Sequence, residues 1–406
     1  MDLAEIVRPE LYANEERLHA LLGHMRQHEP VAWIETETHR PFFAVTRHTD
    51  ILEVARRSDV FANAPRPILS SRAQELESRS RQAHVRTLIA VDGAEHKDLR
   101  ALTKDWFMPQ SLNRFEARIR EIAIDSVETA LERGPEIDFV ADVAIHYPLR
   151  VIMEILGVPS DQEEMMLKIT QVVFGASDPD IALNLTSEQR MGVFMQFVSY
   201  CEQVTAARRE APRDDLASVI ANAELEGSPL TSVDLMGYFL IVATAGHDTT
   251  SSSTAGALHA LLENPGQMAL VRENPDALPG LVEESIRWVT PVKHFMRTAT
   301  SDCEVGGRLI PQGEAVMLLY PSGNRDDSAF DNPFQFDATR RPNRHLSFGH
   351  GAHHCLGNLL AKMEMRIFYE EFFKRVGRIE LIGEPKLIQS VFVSGLKALP
   401  VRIEAK

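Results

Sequence analysis

The chain has 406 residues, with 43 Lys and Arg against 58 Asp and Glu and a formal net charge of −15. Its 44% hydrophobic and 25% charged residues are typical of a globular protein and exclude a disordered chain or a fibre. The acidic balance argues against wholesale binding to nucleic acid, so we expect no nucleic-acid partner. The cysteines at positions 201, 303 and 355 have no Cys-x-x-Cys spacing, which argues against a disulfide framework and a multi-cysteine zinc site.

The amino-terminal segment is acidic and has the apolar spacing of a helix. It lacks the basic and apolar regions of a signal peptide. No stretch of about 20 apolar residues could span a bilayer, so we expect a cytoplasmic protein without a membrane anchor. The length is compatible with two or three domains or with one large one.

The first third of the chain predicts a small sheet followed by a long loop. Residues 31–36 and 42–45 are rich in β-branched and aromatic side chains, as in strands. Thr49 is expected to cap the helix that follows. Residues 61–91 lack a regular apolar period, and we expect a long loop with one short helix.

Residues 94–263 are mostly helical in pattern. The last helix of this region is predicted from Thr231 to Asn264, about 32 residues or roughly 48 Å. Further along the chain we predict a helix over 277–290, short strands within 297–320, an irregular segment over 321–355 and a helix over 357–376. Helices and strands are segregated rather than alternating, which indicates a mainly α (α+β) fold with small sheets and a long central helix.

The segment with the most unusual chemistry runs from Phe348 to Gly357. Cys355 stands among glycines directly before a predicted helix, where free N–H groups stabilise a thiolate. Such a thiolate suits a soft or redox metal. The same residues leave other interpretations open: a small buried side chain, a zinc cluster with the neighbouring histidines, or a catalytic Cys–His pair.

The pattern Phe348-x-x-Gly351-x-x-x-Cys355-x-Gly357 resembles the haem-binding loop of the cytochromes P450. The resemblance implies haem b as cofactor, with Cys355 as the axial ligand of its iron and Phe348 beside the sulfur. It extends over residues 30–403 and implies a single cytochrome P450 domain over 1–406. Other segments, among them 292–299 and 341–345, are most similar to the bacterial subgroup that hydroxylates terpineol.

Ala245-Gly-His-Asp-Thr-Thr250 lies in the middle of the long predicted helix. Gly, Asp and Thr are poor residues for a helix centre, so we expect a local opening there. The segment resembles the oxygen-binding groove of the family. The resemblance implies that Thr249 hydrogen bonds to the bound oxygen species, that Asp248 relays protons and that Gly246 leaves room for dioxygen.

Two further sets of residues match the family. Glu284 and Arg287 resemble its structural Glu-x-x-Arg pair, which Arg340 would join. The resemblance also implies that cations hold the two haem propionates. The cations implied are His96, Arg100, Arg297 and His353.

The resemblance implies a distal pocket lined mainly by apolar side chains, which favours a small apolar substrate such as a terpenoid or an alkyl-aromatic hydrocarbon. The predicted lining is Ile68, Leu69, Val172, Ile241, Val242, Ala245, Val292, Phe295, Val391 and Phe392. Lys293 and His294 lie close by in sequence, but because their side chains can point to solvent, no anion site is assigned to them.

The chain has neither a Gly-x-Gly-x-x-Gly fingerprint nor iron–sulfur cysteine spacing, so electrons must come from another protein. A ferredoxin with its NAD(P)H-dependent ferredoxin reductase is therefore the expected partner. The first hypothesis is a haem-thiolate monooxygenase that uses dioxygen. The alternatives are a peroxide-dependent enzyme of the same fold, a haem-binding sensor without turnover, and a zinc or cysteine hydrolase.

Overall fold

A computed structural model of the chain describes residues 1–80, 86–174, 178–181 and 185–406. The predicted loop over 61–91 lies partly outside these residues. The α-helices of the described residues are α1 (Glu15–His28), α2 (His48–Arg56), α3 (Arg72–Ser80), α4 (Gly93–Lys104), α5 (Pro109–Leu112), α6 (Glu116–Arg133), α7 (Tyr147–Leu156), α8 (Glu163–Phe174), α9 (Ser187–Glu210), α10 (Leu216–Ala221), α11 (Ser232–Ala245), α12 (Asp248–Glu263), α13 (Pro265–Glu273), α14 (Leu278–Val289), α15 (Tyr320–Gly323) and α16 (Asn358–Arg375).

Strands occupy a smaller part of the chain. They are β1 (Val31–Ile34), β2 (Phe42–Val45), β3 (Phe61–Ala62), β4 (Glu136–Asp138), β5 (Glu224–Leu225), β6 (Ser228–Pro229), β7 (His294–Ala299), β8 (Cys303–Val305), β9 (Arg308–Ile310), β10 (Ala315–Leu319), β11 (Val376–Leu381), β12 (Lys386–Leu387), β13 (Leu396–Ala398) and β14 (Pro400–Ala405). The predicted mainly α fold with small sheets is confirmed.

The largest sheet has the strand order β1-β2-β10-β7-β3. Strands β2 and β10 pair in parallel, with Phe43 opposite Val316, and the other neighbours are antiparallel. The central strands β2 and β10 are buried along their whole length. Such continuous apolar runs are expected where a sheet is covered on both faces.

The long predicted helix is present as α11 and α12, which are separated at Gly246 and His247. Thr231 caps its start, because its side chain accepts a hydrogen bond from the N–H of Asp234. Helix α12 packs against α14 and α16 in the main apolar core. This packing places the break of the helix beside the segment that precedes α16.

Two local predictions are wrong. Helix α2 starts at His48, so Thr49 lies inside the first turn instead of capping it. The carboxylate of Asp326 accepts a 2.8 Å hydrogen bond from the N–H of His48 and supplies the cap from a distant loop. Strand β7 also begins at His294, before the region in which strands were predicted, because it pairs along β10 from Leu319 to Ala315.

Candidate active site

The loop before α16 is held in a tight conformation around Cys355. The N–H of Cys355 donates a 2.8 Å hydrogen bond to the carbonyl of Phe348, and the side chain of Asn358 donates to the carbonyl of Cys355. Gly351 has φ +72°, and a Cβ there would lie 2.1 Å from the carbonyl oxygen of Ala55. Only glycine fits this contact with α2 without displacing the loop.

The Cys355 thiol faces a cavity at the start of α16. Burial raises its pKa, whereas a hydrogen bond from the N–H of Gly357 and the charges of Arg100 and Lys362 lower it. The N–H donor and the two cations stabilise the anionic sulfur. A cation placed beyond the sulfur would complete this stabilisation, so the donor set suits a thiolate that ligates a metal.

One side of the cavity carries the predicted cationic residues. His96, Arg100, Arg297 and His353 all line it. The rings of His96 and His353 lie 4.1 Å apart between centroids, and Nε2 of His353 is 3.1 Å from a carboxylate oxygen of Asp92. Burial and the neighbouring His96 and Arg297 lower the pKa of His353 to about 4.

The two guanidinium groups lack a carboxylate partner among the described residues. Arg297 is only 4% exposed and donates to the carbonyl of Met296, while Arg100 is half-buried. The buried hydroxyl of Tyr320, in the same wall, interacts with the guanidinium of Arg297. Asp92 acts on Arg297 only from beyond ion-pair distance, so both guanidinium groups can still pair directly with carboxylates, and this side of the cavity fits the two propionate groups of a haem.

Gly357 also supports the fit of this cavity to a haem. It lines the cavity, and a Cβ built on it would meet no atom within 4 Å. The missing side chain therefore leaves open space beside the sulfur of Cys355, where a flat group can approach the backbone closely.

The break between α11 and α12 forms the opposite wall. The hydroxyl of Thr249 donates a 2.9 Å hydrogen bond to the carbonyl of Ala245, which removes that carbonyl from the regular helical pattern. Thr249, Ala245 and Gly246 line the cavity, whereas Asp248 is absent from its lining. A Cβ on Gly246 would lie 3.2 Å from Ile152 of α7, so packing also restricts this position.

The predicted substrate residues divide into two groups. Those on the cavity wall are Ile241, Val242, Ala245, Val292 and Phe295. Those outside the lining are Ile68, Leu69, Val172, Val391 and Phe392. Phe392 stacks edge-on against Phe295 at 5.5 Å between ring centroids, so it lies directly behind the wall.

The predicted Glu-x-x-Arg pair is fully buried. Arg287 donates to both carboxylate oxygens of Glu284, at 2.8 and 2.7 Å, and Arg340 donates to the same carboxylate at 3.2 Å. Arg287 also donates to the carbonyls of Asn324 and Pro333. The three charged side chains thus hold the irregular segment that leads to the Cys355 loop.

A buried acid on α16 was missed in the sequence. Glu364 lines the cavity, hydrogen bonds to Thr250 and is held so far from water that burial raises its pKa well above the usual range. The sequence carries a signal for it. Glu364 stands four residues from Leu360 and from Phe368, on the apolar face of the helix.

Although the sequence allows Lys293 and His294 to point to solvent, the structure turns both inward. Both side chains are buried. The ammonium group of Lys293 donates to the carbonyl of Val289, and the ring of His294 joins the backbone of Leu69 to that of Val391. The two partners of His294, on Leu69 and Val391, are too distant from it in sequence for a local pattern to predict these hydrogen bonds.

Comparison with known proteins gives one consistent family. The model of the family described as "Cytochrome P450" matches residues 12–376. A Pseudomonas protein named cytochrome P450-terp is 41% identical over 98% of this chain and 96% of its own length. Linalool 8-monooxygenase of Pseudomonas putida is 32% identical, and the match covers both proteins completely.

The fold is shared as well. The crystal structure of CYP108D1 from Novosphingobium aromaticivorans has a TM-score of 0.94 and 41% identity, covering 100% of this chain and 98% of that one. Among the described residues, no helix is both long and apolar enough to cross a membrane. Within the same residues, no three His, Cys, Asp or Glu side chains cluster as metal ligands, and the hydrolase alternative is excluded by the family. The chain belongs to the cytochrome P450 family, whose members bind haem b, and it is a cytochrome P450 monooxygenase.

Proposed function

We propose that this P450 inserts one atom of dioxygen into a C–H bond of a small apolar substrate, with Cys355 as the haem ligand. Bound haem supplies the iron at which dioxygen is reduced by two electrons and two protons, giving the hydroxylated product and water. The observation that carries the proposal is the half-buried Cys355 thiol, which lines a cavity whose wall holds two guanidinium groups that form no ion pair with a carboxylate of the described residues.

The cations and the loop would hold the cofactor. His96, Arg100, Arg297 and His353 would bind the propionates, because bidentate guanidinium groups and imidazole N–H groups suit carboxylates. Gly357 leaves the space that a porphyrin edge requires. Gly351 fixes the loop against α2. Phe348 belongs to the same loop, and the ammonium group of Lys362 lies 5.2 Å from the centroid of the Phe348 ring.

The acid–alcohol pair would deliver protons. Thr249 lines the cavity, and its hydroxyl, which donates to the carbonyl of Ala245, would supply a hydrogen bond to dioxygen there. Asp248 stands next to it outside the lining and would pass protons to it from solvent. Gly246 would keep the backbone at the break close to the dioxygen site.

The substrate class is inferred from the apolar residues that line the cavity. Ile241, Val242 and Val292 are aliphatic, and Phe295 adds an aromatic face. A terpenoid or an alkyl-aromatic hydrocarbon matches this lining, since such a wall offers burial and few hydrogen bonds. The relation to linalool 8-monooxygenase supports a terpenoid.

A ferredoxin, with its NAD(P)H-dependent reductase, would supply the electrons. The chain has a net charge of −15, yet Arg56, Arg341 and Arg344 are exposed on the segments that surround the Cys355 loop. An acidic ferredoxin would dock there by charge complementarity. Raised ionic strength should then slow electron transfer, and a rate independent of salt would contradict this docking.

The ligand assignment is tested by spectroscopy on the haem-loaded protein. The reduced carbon monoxide complex of the wild type should show the thiolate-type absorption band, and Cys355→Ala should abolish it. Cys303→Ala is the matched control, because this buried cysteine lies on β8, away from the cavity. A thiolate-type band that persists in Cys355→Ala would overturn the assignment.

The substrate class is tested by titration. Linalool and an alkyl-aromatic hydrocarbon should shift the resting haem spectrum by displacing water from the iron, and the Thr249→Ala variant should bind them equally well. This variant should form product about 10²-fold more slowly and release more hydrogen peroxide, because proton delivery is impaired. A spectral response to fatty acids alone would contradict the proposed substrate class.

A further inference from the structure

His247 stands at the break between α11 and α12 and is only 1% exposed. Its Nε2 lies 2.7 Å from the carbonyl oxygen of Ile145. Its Nδ1 lies 3.2 Å from the hydroxyl of Thr170 and 3.2 Å from a carboxylate oxygen of Asp248. The ring therefore connects the segment before α7, helix α8 and the acid of the proposed proton path.

Counting donors and acceptors fixes one of the two ring protons. The carbonyl of Ile145 can only accept, so Nε2 must carry a hydrogen. Ile145 lies between a π-helical turn and the start of α7, and no backbone N–H of the described residues donates to its carbonyl. His247 is therefore the group that satisfies it.

The second ring nitrogen, Nδ1, faces the hydroxyl of Thr170 and the carboxylate of Asp248. The single hydroxyl hydrogen of Thr170 is used in a 2.8 Å hydrogen bond to the carbonyl of Leu167. In the arrangement in which Thr170 donates to Leu167, it presents only lone pairs to Nδ1. If Nδ1 and Asp248 were both without a proton in this arrangement, the lone pair of Nδ1 would lie 3.2 Å from the Thr170 oxygen and 3.2 Å from the Asp248 carboxylate, which is unfavourable in a largely enclosed space.

We propose that His247 and Asp248 hold one proton between them and that His247 is the positioning residue that returns Asp248 to its protonated form. The proton is on Asp248, which then donates to Nδ1, or on Nδ1, which then donates to the carboxylate. The inference rests on the proposed role of Asp248. It adds a partner to that role, because Thr249 alone of the three lines the cavity.

The geometry also indicates the direction of transfer. When Asp248 passes its proton toward Thr249 and the cavity, the pair is left with no proton between its facing lone pairs. This unfavourable state draws the next proton from solvent, and a quarter of the side-chain surface of Asp248 remains accessible. Burial raises the pKa of Asp248, and His247 is the charged group that opposes the rise. The pair thus passes on one proton at a time and is recharged from solvent twice per turnover.

The proton itself can be observed without turnover. Infrared spectroscopy of the holoprotein should reveal the carbonyl absorption of a protonated carboxylic acid that Asp248→Asn removes, or nitrogen NMR should show a protonated Nδ1 on His247. One of the two signals must be present near neutral pH. If both are absent, the proposal is overturned. His247→Gln should change the absorption of Asp248, and an unchanged absorption would overturn it as well.

Turnover gives the second readout. His247→Gln keeps an N–H for Ile145 but has no group that can be protonated, so product formation should fall about tenfold while hydrogen peroxide per reductant rises. Asp248→Asn should also raise the amount of hydrogen peroxide formed per reductant, and it replaces the first variant as the test if His247→Gln folds poorly. His259→Gln is the matched control, since His259 pairs at 3.5 Å with Glu263 on the outer face of the same helix.

The outcomes separate this inference from the proposed function. Loss of the thiolate-type spectrum in the wild type would overturn the proposed function. The role of His247 alone would be overturned by a different result. In that case the wild type would show a normal spectrum and turnover, and His247→Gln would match His259→Gln both in hydrogen peroxide released and in the solvent isotope effect on turnover.

Discussion

The backbone N–H of Leu69 donates a 3.0 Å hydrogen bond to Nε2 of His294. On the other side of the ring, Nδ1 lies 2.8 Å from the carbonyl oxygen of Val391 and must donate to it. The neutral ring therefore has one acceptor and one donor, and each has a partner. Protonation would place a second N–H against the N–H of Leu69. His294 thus joins the loop after β3 and the loop after β12 to the start of β7, provided that it stays neutral.

This arrangement predicts acid sensitivity of folding. Burial lowers the pKa of His294 to about 4, while the unfolded chain has the ordinary value near 6.5. The unfolded state therefore binds the proton first as pH falls. The stabilisation is complete above pH 6.5, declines through the window down to about pH 4, and amounts to about 3 kcal/mol in total.

The measurement is the free energy of unfolding of the wild type and of His294→Gln across this window. Glutamine can accept from Leu69 and donate to Val391, but it does not titrate. As the solution is acidified from pH 6.5 to 4, the free energy of unfolding of the wild type should fall by about 3 kcal/mol relative to that of His294→Gln. A difference that is independent of pH between 6.5 and 4 would refute the assignment.

His294 also shows where the sequence is silent. Its partners lie 225 and 97 residues away, so no local spacing indicates that the ring is buried. Asp326, which caps α2 from a distant loop, is a similar case. In both, a polar group is satisfied by the tertiary fold, whereas the sequence pattern reports only neighbours within a few turns.

The candidate site was more accessible to prediction because its main features are local. The Cys355 loop spans ten residues, and the requirement for glycine at 351 arises from a backbone contact and a positive φ. The break at Gly246 follows from poor helix formers within one turn. Which apolar residues reach the cavity depends on packing between distant helices, so Ile241 lines it while Val172 does not.

The buried pair of Glu284 and Arg287 predicts a large loss of stability on a conservative change. Arg287→Lys keeps the charge but loses the bidentate contact and the donors to Asn324 and Pro333. We expect the free energy of unfolding to fall by about 3 kcal/mol, together with weaker retention of haem. Chemical unfolding and the haem content of the purified protein measure the two effects.

Arg118 provides the matched control for this prediction. It pairs with Glu121 at the same spacing of three residues on α6, at 2.8 Å, but both side chains are more than half exposed. Arg118→Lys should change the free energy of unfolding by less than about 1 kcal/mol. Equal losses in the two variants would show that burial of the Glu284 pair contributes nothing.

Two glycines of the Cys355 loop should respond differently to the same substitution. Gly351→Ala brings Cβ to 2.1 Å from the carbonyl of Ala55 at a positive φ, so it should lower the thermal midpoint and the haem content together. Gly357→Ala meets no protein atom within 4 Å. It should leave the thermal midpoint of the haem-free chain unchanged and weaken haem retention. Identical behaviour of the two variants in the haem-free chain would contradict the assigned reasons for glycine.

The division of the predicted pocket gives a test of substrate contact. Ile241→Phe adds volume on the cavity wall of α11, and overpacking of this size costs about 1–3 kcal/mol. We therefore expect the Kd for linalool, measured by the spectral shift on binding, to rise about tenfold. Val172→Phe is the matched control on α8, since Val172 lies outside the lining and its enlargement should leave the Kd within about twofold. An unchanged Kd in Ile241→Phe, or a larger effect from Val172→Phe, would place the substrate against a different wall.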